Sequence, residues 1–394
     1  MPGNKIRFII LLVLSLLILL PPAFERTISY YDNVAAVESG RALLKSDVHT
    51  YEFHTYRPVG QVLYAAVLAA VFGVAQSAQA FFVFSVLWII LGALGIARLA
   101  TLWLGSSWGP PAYVLALLSP AALHLSSSGY VDLSHVAVTA WGLLALLDPK
   151  SPADPRLKYL LFWLAFILAS MLRPTFLGLA FVLLFALDFG RCSWRSLFFR
   201  QALMALGIPV VLSCQLLMFI RLRGLEYGWH TFKNLNVGLF QSHVGVVDYF
   251  HFDSKSWLII TAGQGLGWIL TITGLAGLLV ALSRKLPWAR VAAAFIVFLV
   301  VHSLIIPIAQ ARYFLIALVA LVPAALWLCR QLPALPQKGL LILLTGSALF
   351  TLSVNSPTCI SLTTATPWCK SFRKILKNGI RKRAVFTGAG NCSV

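Results

Sequence analysis

The chain has 394 residues, of which 59% are hydrophobic and only 11% are charged, and its formal net charge is +19. Soluble domains carry about 25% charged residues, so this composition excludes an ordinary soluble protein. Lys and Arg are scattered over the loops between apolar runs, which indicates membrane orientation rather than nucleic-acid binding.

Apolar runs of about 20 residues, the length that crosses about 30 Å of hydrocarbon, recur along the sequence. The first run follows Lys5 and Arg7 and shows no small-residue cleavage site, so we interpret it as an uncleaved span. We predict eleven spans, near 8–22, 80–98, 108–125, 131–147, 157–172, 174–188, 201–220, 258–282, 291–307, 314–329 and 339–355. The expected fold is an all-α polytopic membrane domain over 1–355, followed by a basic tail over 356–394.

One further apolar run, 59–75, has no clear assignment from its own hydropathy. If the N-terminus is cytoplasmic and this run does not cross, four short basic loops all face the cytoplasm, as the positive-inside bias predicts. These loops are DPKSPADPRLK, GRCSWRSLFFR, SRKLPWAR and CRQLPALPQK. A twelve-span alternative puts the basic tail KSFRKILKNGIRKR inside but moves all four loops outside. We favour a membrane-parallel helix over 59–75 within a first outer loop 23–79, with a second long outer loop over 221–257.

Two aspartates in the predicted outer regions are the candidate catalytic residues. Asp32 follows Tyr31 in SYYDNVAAVESGRALL, and Asp132 lies two residues after Tyr130 in SSSGYVDLSH. Either carboxylate could instead be a helix N-cap. If 59–75 stays on the outer surface, both aspartates share one side, where a carboxylate can take a proton from an attacking hydroxyl.

Three arginines at predicted outer span ends are candidates for binding a phosphate. They are Arg57 in YRPVG, Arg173 in MLRPTF and Arg312, which precedes Tyr313, in QARYF. The planar guanidinium suits phosphate because it donates two parallel hydrogen bonds. The alternative is that each side chain snorkels toward the membrane interface. Arg173 lies in a very short turn between two spans, where orientation alone does not call for a cation.

Several catalytic signatures are missing from the sequence. It contains no Walker loop, no HExxH motif and no GxSxG motif, so nucleotide hydrolysis, zinc proteolysis and α/β-hydrolase chemistry have no support. Six cysteines show no metal-ligand spacing. No metal site is assigned, and dependence on a divalent cation is left open.

The order of the motifs resembles the GT-C polytopic glycosyltransferases, especially the branch of protein O-mannosyltransferases and lipid A aminoarabinose transferases. The resemblance rests on YYDNVAAVESGRALL, YRPVGQVLYAAVLAAVFG, LSPAALHLSSSGYVDLSHVAVTAW and QARYFLIALVALVP, in that order. The sequence departs from the pattern at Asn33, where a second acid is usual, and at Arg57-Pro58-Val59, where Pro-Pro is usual. These departures leave metal use and the acceptor open.

The resemblance implies a bacterial inner-membrane glycosyltransferase with an outward-facing site. It would move a hexosyl or pentosyl group from a polyprenyl-phosphate donor to a lipid, glycan or protein acceptor, with inversion. Asp32 would be the base, and Asp132 would orient the acceptor or the base. The three arginines, with Tyr31, Tyr130 and Tyr313, would bind the substrates.

Three other functions remain open from the sequence. A transporter or lipid flippase also needs many spans, but paired halves with broken helices at matching positions are typical of it. A membrane O-acyltransferase would use an embedded histidine, for which His124 and His135 are available. A structural membrane subunit is the third alternative.

Overall fold

A computed structural model of the chain describes residues 2–24, 31–45, 58–74, 76–120, 122, 132–149, 154–173, 176–189, 193–241, 266–305 and 314–354. These residues are helical almost throughout, and none of them belongs to a strand. The all-α fold class is therefore confirmed for the part of the chain that the structure describes. Residue contacts divide the chain into a unit of residues 1–348 and a unit of residues 349–394.

The described helices follow the apolar runs of the sequence. They are α1 (Pro2–Phe24), α2 (Tyr31–Lys45), α3 (Val59–Phe72), α4 (Ser77–Leu104), α5 (Gly109–Leu117), α6 (Asp132–Leu147), α7 (Pro155–Leu172), α8 (Phe176–Asp188), α9 (Trp194–Ala205), α10 (Gly207–Arg223), α11 (Leu225–Gln241), α12 (Trp268–Ser283), α13 (Pro287–Ile305), α14 (Leu318–Arg330) and α15 (Ala334–Val354). Two of the starts have side-chain caps, at Asp154 for α7 and at Ser193 for α9.

Each predicted span overlaps at least one of these helices. Among the described stretches, Ser77–Leu104, Pro155–Leu172 and Trp194–Leu222 are long and apolar enough to cross a membrane. Seven further apolar helices are shorter, between 10 and 17 residues. The number of spans therefore stays a prediction, while the positions of the apolar helices agree with the sequence.

Small residues let the central helices approach closely, as in other membrane bundles. A Cβ on Gly95 of α4 would lie 2.8 Å from the Ala140 Cβ of α6, and one on Gly142 of α6 would lie 2.8 Å from the Ala165 Cβ of α7. Farther along the chain, Gly277 of α12 faces the backbone of α14 in the same way. Helix α14 is buried on nearly all sides and forms the centre of the core.

These contacts also set the helix directions. Gly92 and Gly95 of α4 face Ala137 and Ala140 of α6, so α4 and α6 run in the same direction. The short loop after α6 then reverses the chain into α7. The starts of α4 and α6 and the end of α7 therefore lie at one end of the bundle, which we call the site end.

The opposite end, which we call the basic end, holds the helix ends that flank four connections, 148–154, 189–193, 284–286 and 331–333. Trp103 near the end of α4 stacks on Trp288 at the start of α13, with ring centroids 5.8 Å apart. Arg330 at the end of α14 donates to the carbonyl of Leu104 at 2.9 Å. The helix ends that flank the four basic loops are thus at the same end of the bundle.

Two ion pairs stabilise the basic end. Arg98 of α4 pairs with Asp148 at 2.7 Å. Arg200 of α9 pairs with Asp188 at 2.7 Å, and the Asp188 carboxylate also accepts a hydrogen bond from Tyr159 at 3.0 Å. Asp188 is only 4% exposed, so its charge depends on this pairing.

Helix α3 contacts the site end at both of its own ends. At its start, Gln61 Nε2 donates to the carbonyl of Leu172, the last residue of α7, at 3.2 Å. At its end, Phe72 packs against Phe84 in the first turns of α4, with centroids 5.7 Å apart. The 14 residues of α3 span about 21 Å, so the helix bridges the end of α7 and the first turns of α4.

The sequence interpretation treated 221–257 as a loop, and the structure instead has helix α11 within it. Its apolar residues alternate with Glu226, His230 and Lys233, so the average hydropathy of the segment is low. Gly228 of α11 packs directly on the backbone of Ile220 in α10. The helix is therefore held by a close antiparallel contact that hydropathy does not report.

Candidate functional site

Arg173 forms the turn between α7 and α8 at the site end. Its N–H donates to the carbonyl of Ala169 at 2.9 Å, and its own carbonyl accepts from the N–H of Phe176 at 3.0 Å. The backbone is extended, with φ −150° and ψ 108°. The half-buried guanidinium is thus carried by a turn whose backbone is fixed on both sides.

A row of aromatic and imidazole rings connects the ends of three helices beside this turn. His135, in the first turn of α6, packs on Phe176 of α8 with centroids 4.2 Å apart. Phe176 lies 6.0 Å from Phe298 of α13, and Phe298 lies 5.7 Å from His302. His302 is also close enough to Arg173 to be affected by its charge. The row therefore brings both histidines and Arg173 to the site end.

The start of α3 lies against the same turn. A Cβ on Gly60 would come within 2.6 Å of the Met171 carbonyl carbon and 2.7 Å of the Leu172 nitrogen. Together with the hydrogen bond from Gln61 to Leu172, this contact fixes the head of α3 beside Arg173. Residue 57, which directly precedes this helix head, lies outside the described residues.

Helix α3 is also fastened to α4 by polar and aromatic contacts. Trp88 Nε1 donates to the Tyr64 hydroxyl at 3.1 Å, and the Tyr64 ring packs on Phe81 at 5.4 Å. Burial raises the pKa of the Tyr64 phenol, so the phenol stays protonated at neutral pH. This contact holds α3 on the bundle without a charged partner.

Helix α2 rests on α3 and on the start of α4. Gly40 faces the backbone of Ala65 and Ala66, where a Cβ would lie 2.6–2.8 Å from its neighbours. Arg41 joins α2 to α4 by a hydrogen bond from its Nε to the Ser77 hydroxyl at 3.0 Å, and an ion pair with Glu38 of its own helix at 2.6 Å orients the guanidinium. The helix that begins with Tyr31 and Asp32 is therefore docked at the site end.

The predicted site residues fall into three groups. Arg173 is described with its side chain and lies beside the head of α3, within electrostatic range of His302. Asp32 and Tyr31 begin α2, and Asp132 begins α6, with only their backbone described. The others, Arg57, Tyr130, Arg312 and Tyr313, lie outside the described residues. The structure thus puts the start of α6 at the site end and packs the middle of α2 against it, while the roles of all eight residues stay predictions.

His302 and Gln61 are site-end residues whose contacts the sequence interpretation missed. His302 follows Phe298 by four residues in the last turn of an apolar helix, and a polar residue at a helix end is the signal that could have drawn attention to it. Gln61 is a buried amide in an otherwise apolar helix. Buried polar groups have partners, so both residues could have been expected to bond across helices.

No cluster of metal ligands is found among the described residues. Their histidines, cysteines, aspartates and glutamates form no group of three that could hold an ion. The side chains of Asp32 and Asp132 lie outside the described part of the chain.

Solved membrane proteins share this fold. ArnT from Cupriavidus metallidurans bound to undecaprenyl phosphate superposes with a TM-score of 0.65 at 17% identity, over 85% of this chain and 62% of that chain. The Archaeoglobus fulgidus oligosaccharyltransferase AglB, in complex with an inhibitory peptide and a dolichol-phosphate, superposes with a TM-score of 0.54 at 11% identity, over 89% and 55%. No protein-family model and no curated protein sequence matches the chain.

The likeness to these solved structures is a likeness of fold. ArnT and AglB are GT-C superfamily enzymes, so the GT-C-like fold predicted from the order of the motifs is confirmed. The apolar helices and these membrane neighbours identify the chain as an integral membrane protein. The chain spans less than two thirds of the length of either solved structure.

Proposed function

We propose that this chain is a membrane glycosyltransferase that moves a sugar from a polyprenyl-phosphate donor to an acceptor hydroxyl. The observation that carries the proposal is a fold shared with ArnT bound to undecaprenyl phosphate, at a TM-score of 0.65. The site end supports it, since Arg173 and the start of the Asp132-bearing helix lie there, and the middle of the Asp32-bearing helix packs against it. A carboxylate base and a phosphate-binding cation are the two groups this reaction requires.

The proposed reaction is a single inverting displacement. The acceptor oxygen bonds to the anomeric carbon while the bond from that carbon to the phosphate oxygen breaks. Asp32 takes the proton of the acceptor hydroxyl, a role that typically contributes 10²–10⁴-fold in rate. Asp132 orients the acceptor or the base.

The lipid phosphate leaves with one more negative charge than it had as a diester. Arg173 stabilises that growing charge, together with Arg57 and Arg312. His302 lies within the electrostatic reach of Arg173 and so belongs to the same environment. Tyr31, Tyr130 and Tyr313 complete the substrate-binding set. The acceptor is a lipid, a glycan or a protein, and the sugar a hexose or a pentose.

We further propose that the site end faces outward from a bacterial inner membrane. The four loops of the basic end support this orientation, because short basic loops stay in the cytoplasm. The contacts of α3 with the end of α7 and with the first turns of α4, both at the site end, support the membrane-parallel assignment of 59–75, which allows all four loops to share one side.

An O-acyltransferase centred on His135 is a less suitable candidate. The His135 side chain is fully buried and covered by the Phe176 ring at 4.2 Å. An acyl donor would need to reach an imidazole nitrogen, and this packing covers one face of the ring.

The role of Asp32 is tested by Asp32→Asn. Transfer from a polyprenyl-phosphate sugar in proteoliposomes is expected to fall at least 10²-fold, because the amide cannot accept the hydroxyl proton. The matched control is Asp154→Asn at the basic end, where Asn retains the cap of α7 and transfer is expected to be unchanged. Near wild-type transfer by a folded, inserted Asp32→Asn protein would contradict the assignment.

Orientation is tested separately with single cysteines in a cysteine-free background. Leu44→Cys and Gln76→Cys, which flank α3 on either side, should both react with an impermeant reagent applied from outside. Arg156→Cys at the basic end should stay protected until the membrane is opened. Labelling of Leu44→Cys and Gln76→Cys from opposite sides would mean that α3 crosses.

A further inference from the structure

A polar cavity of about 220 Å³ opens at the basic end, on the opposite side of the bundle from the candidate site. It is lined by Ala186, Leu187, Lys285, Pro287, Arg290 and Val291. At about 30 Å³ for each water, this volume corresponds to roughly seven water molecules. The cavity is thus large enough for a phosphate group with its ester substituents, and it has apolar walls on the α8 side.

The two cations that line the cavity have no carboxylate within ion-pair distance among the described residues. The three described carboxylates of the basic end are engaged elsewhere: Asp148 with Arg98, Asp188 with Arg200, and Asp154 with the N–H of Arg156. Lys285 and Arg290 therefore give the cavity a net positive charge. Arg290 lies in the first turn of α13, where the helix dipole disfavours a cation and adds to the positive potential.

Lys285 has an unusual backbone conformation for a residue with a side chain. Its φ is +55°, and it is the one non-glycine residue with positive φ in the described part of the chain. The N–H groups of Lys285 and Leu286 bond to the carbonyls of Leu282 and Ala281 at 2.9 and 3.1 Å. This is the Schellman end of a helix, at the position that glycine usually occupies.

A lysine at a position better suited to glycine carries conformational strain, which suggests that its side chain is used. Membrane orientation needs a positive charge somewhere in this loop but does not need it at this residue. We propose that Lys285 and Arg290 bind the phosphate of an anionic membrane-lipid head group in this cavity. A phosphodiester matches two uncompensated cations, and the apolar wall of Leu187 and Val291 accommodates the glycerol and the first methylenes.

Lys285→Gly provides the test, because it removes the cation and the backbone strain together. Purified full-length protein would be titrated with phosphatidylglycerol, and binding would be followed by native mass spectrometry and by the shift in melting temperature. We expect Lys285→Gly and Arg290→Gln each to weaken binding about tenfold, as loss of a charge-assisted hydrogen bond does. Without lipid, Lys285→Gly should melt at the wild-type temperature or higher.

The matched control is Lys338→Gln, which removes one exposed cation from the basic end without touching the cavity. Its binding should stay within about twofold of the wild type. Equal weakening by Lys338→Gln would show that overall charge is responsible and would overturn the site. Unchanged binding by Lys285→Gly would overturn it too.

Two further titrations distinguish a lipid head group from free phosphate as the ligand. Phosphatidylcholine, whose head group has no net charge, should give no shift that depends on Lys285. Inorganic phosphate should compete only at millimolar concentration. If inorganic phosphate alone bound tightly, and Lys285→Gly abolished that binding as well, the assignment to a lipid would be overturned.

Discussion

Gly40 is the point at which α2 rests on α3, and replacing it tests whether the position of α2 controls activity. A Cβ here would lie 2.6 Å from the Ala66 nitrogen and 2.8 Å from the Ala65 Cβ. Nonbonded carbon atoms pack at about 3.5–4.0 Å, so Gly40→Ala must move α2 by about 1 Å. Asp32 begins the same helix, about 12 Å away at 1.5 Å per residue, and moves with it.

The expected effect on rate is larger than the effect on stability. A misplacement of about 1 Å at a reacting group can cost about 10²-fold, or about 2.7 kcal/mol of transition-state stabilisation. Overpacking costs about 1–3 kcal/mol of folding free energy, and replacing a helical glycine by alanine offsets about 0.5–1 kcal/mol of that. Gly40→Ala should therefore remain mostly folded while transfer falls about 10²-fold.

The assay measures sugar transfer in proteoliposomes at saturating donor, together with the melting temperature of the same preparation. Gly346→Ala in α15 is the control, because nothing lies within 4 Å of the position its Cβ would take. That variant should transfer at the wild-type rate and be equally or more stable. If Gly40→Ala transfers sugar at the wild-type rate, or if Gly346→Ala loses transfer to the same extent, the position of α2 does not control activity.

Two stability predictions concern the rest of the bundle. Gly277→Ala places a Cβ into the Ala324 backbone and should destabilise the protein by about 1–3 kcal/mol. Thermal unfolding in detergent measures this loss. An unchanged stability would mean that α12 and α14 can separate freely. Arg200→Gln removes the cation that pairs with the buried Asp188 carboxylate and should lower the free energy of unfolding by about 3 kcal/mol. Arg98→Gln changes a side chain that is 37% exposed and should lower it by about 1 kcal/mol or less. Equal losses from the two arginine variants would contradict the role assigned to burial.

The sequence was sufficient for the fold class and for the positions of most apolar helices. The grouping of the four basic loops also followed from charge, because orientation acts on each loop independently of tertiary contacts. The assignment of 59–75 had to be inferred from those distant loops, since its own hydropathy fits either a span or a surface helix. What fixes α3 is tertiary, as in the hydrogen bond from Gln61 to a carbonyl 111 residues away.

The candidate site was harder to predict for the same reason. Asp132 and Arg173 were singled out by their positions at predicted span ends, but their neighbours come from other parts of the chain. His302 reaches the site end through Phe298 and Phe176, which belong to helices more than 100 residues apart. The spacing of these residues along the sequence carries no signal for such a pairing, so His302 could be noticed only as a polar residue in an apolar helix.

Helix α3 has a second face that no described part of the chain covers. Leu63, Val67, Val71 and Phe72 are 39–68% exposed along it, and the helix contains no charged residue. In the proposed membrane-parallel placement this face contacts hydrocarbon, since its exposure to water would be costly. Lipids there would press directly on a helix that touches α2 at Gly40 and the Arg173 turn at Gly60. Bilayer thickness and acyl composition would then act on the geometry of the candidate site, and exchange of those lipids for detergent would change it without changing a single residue.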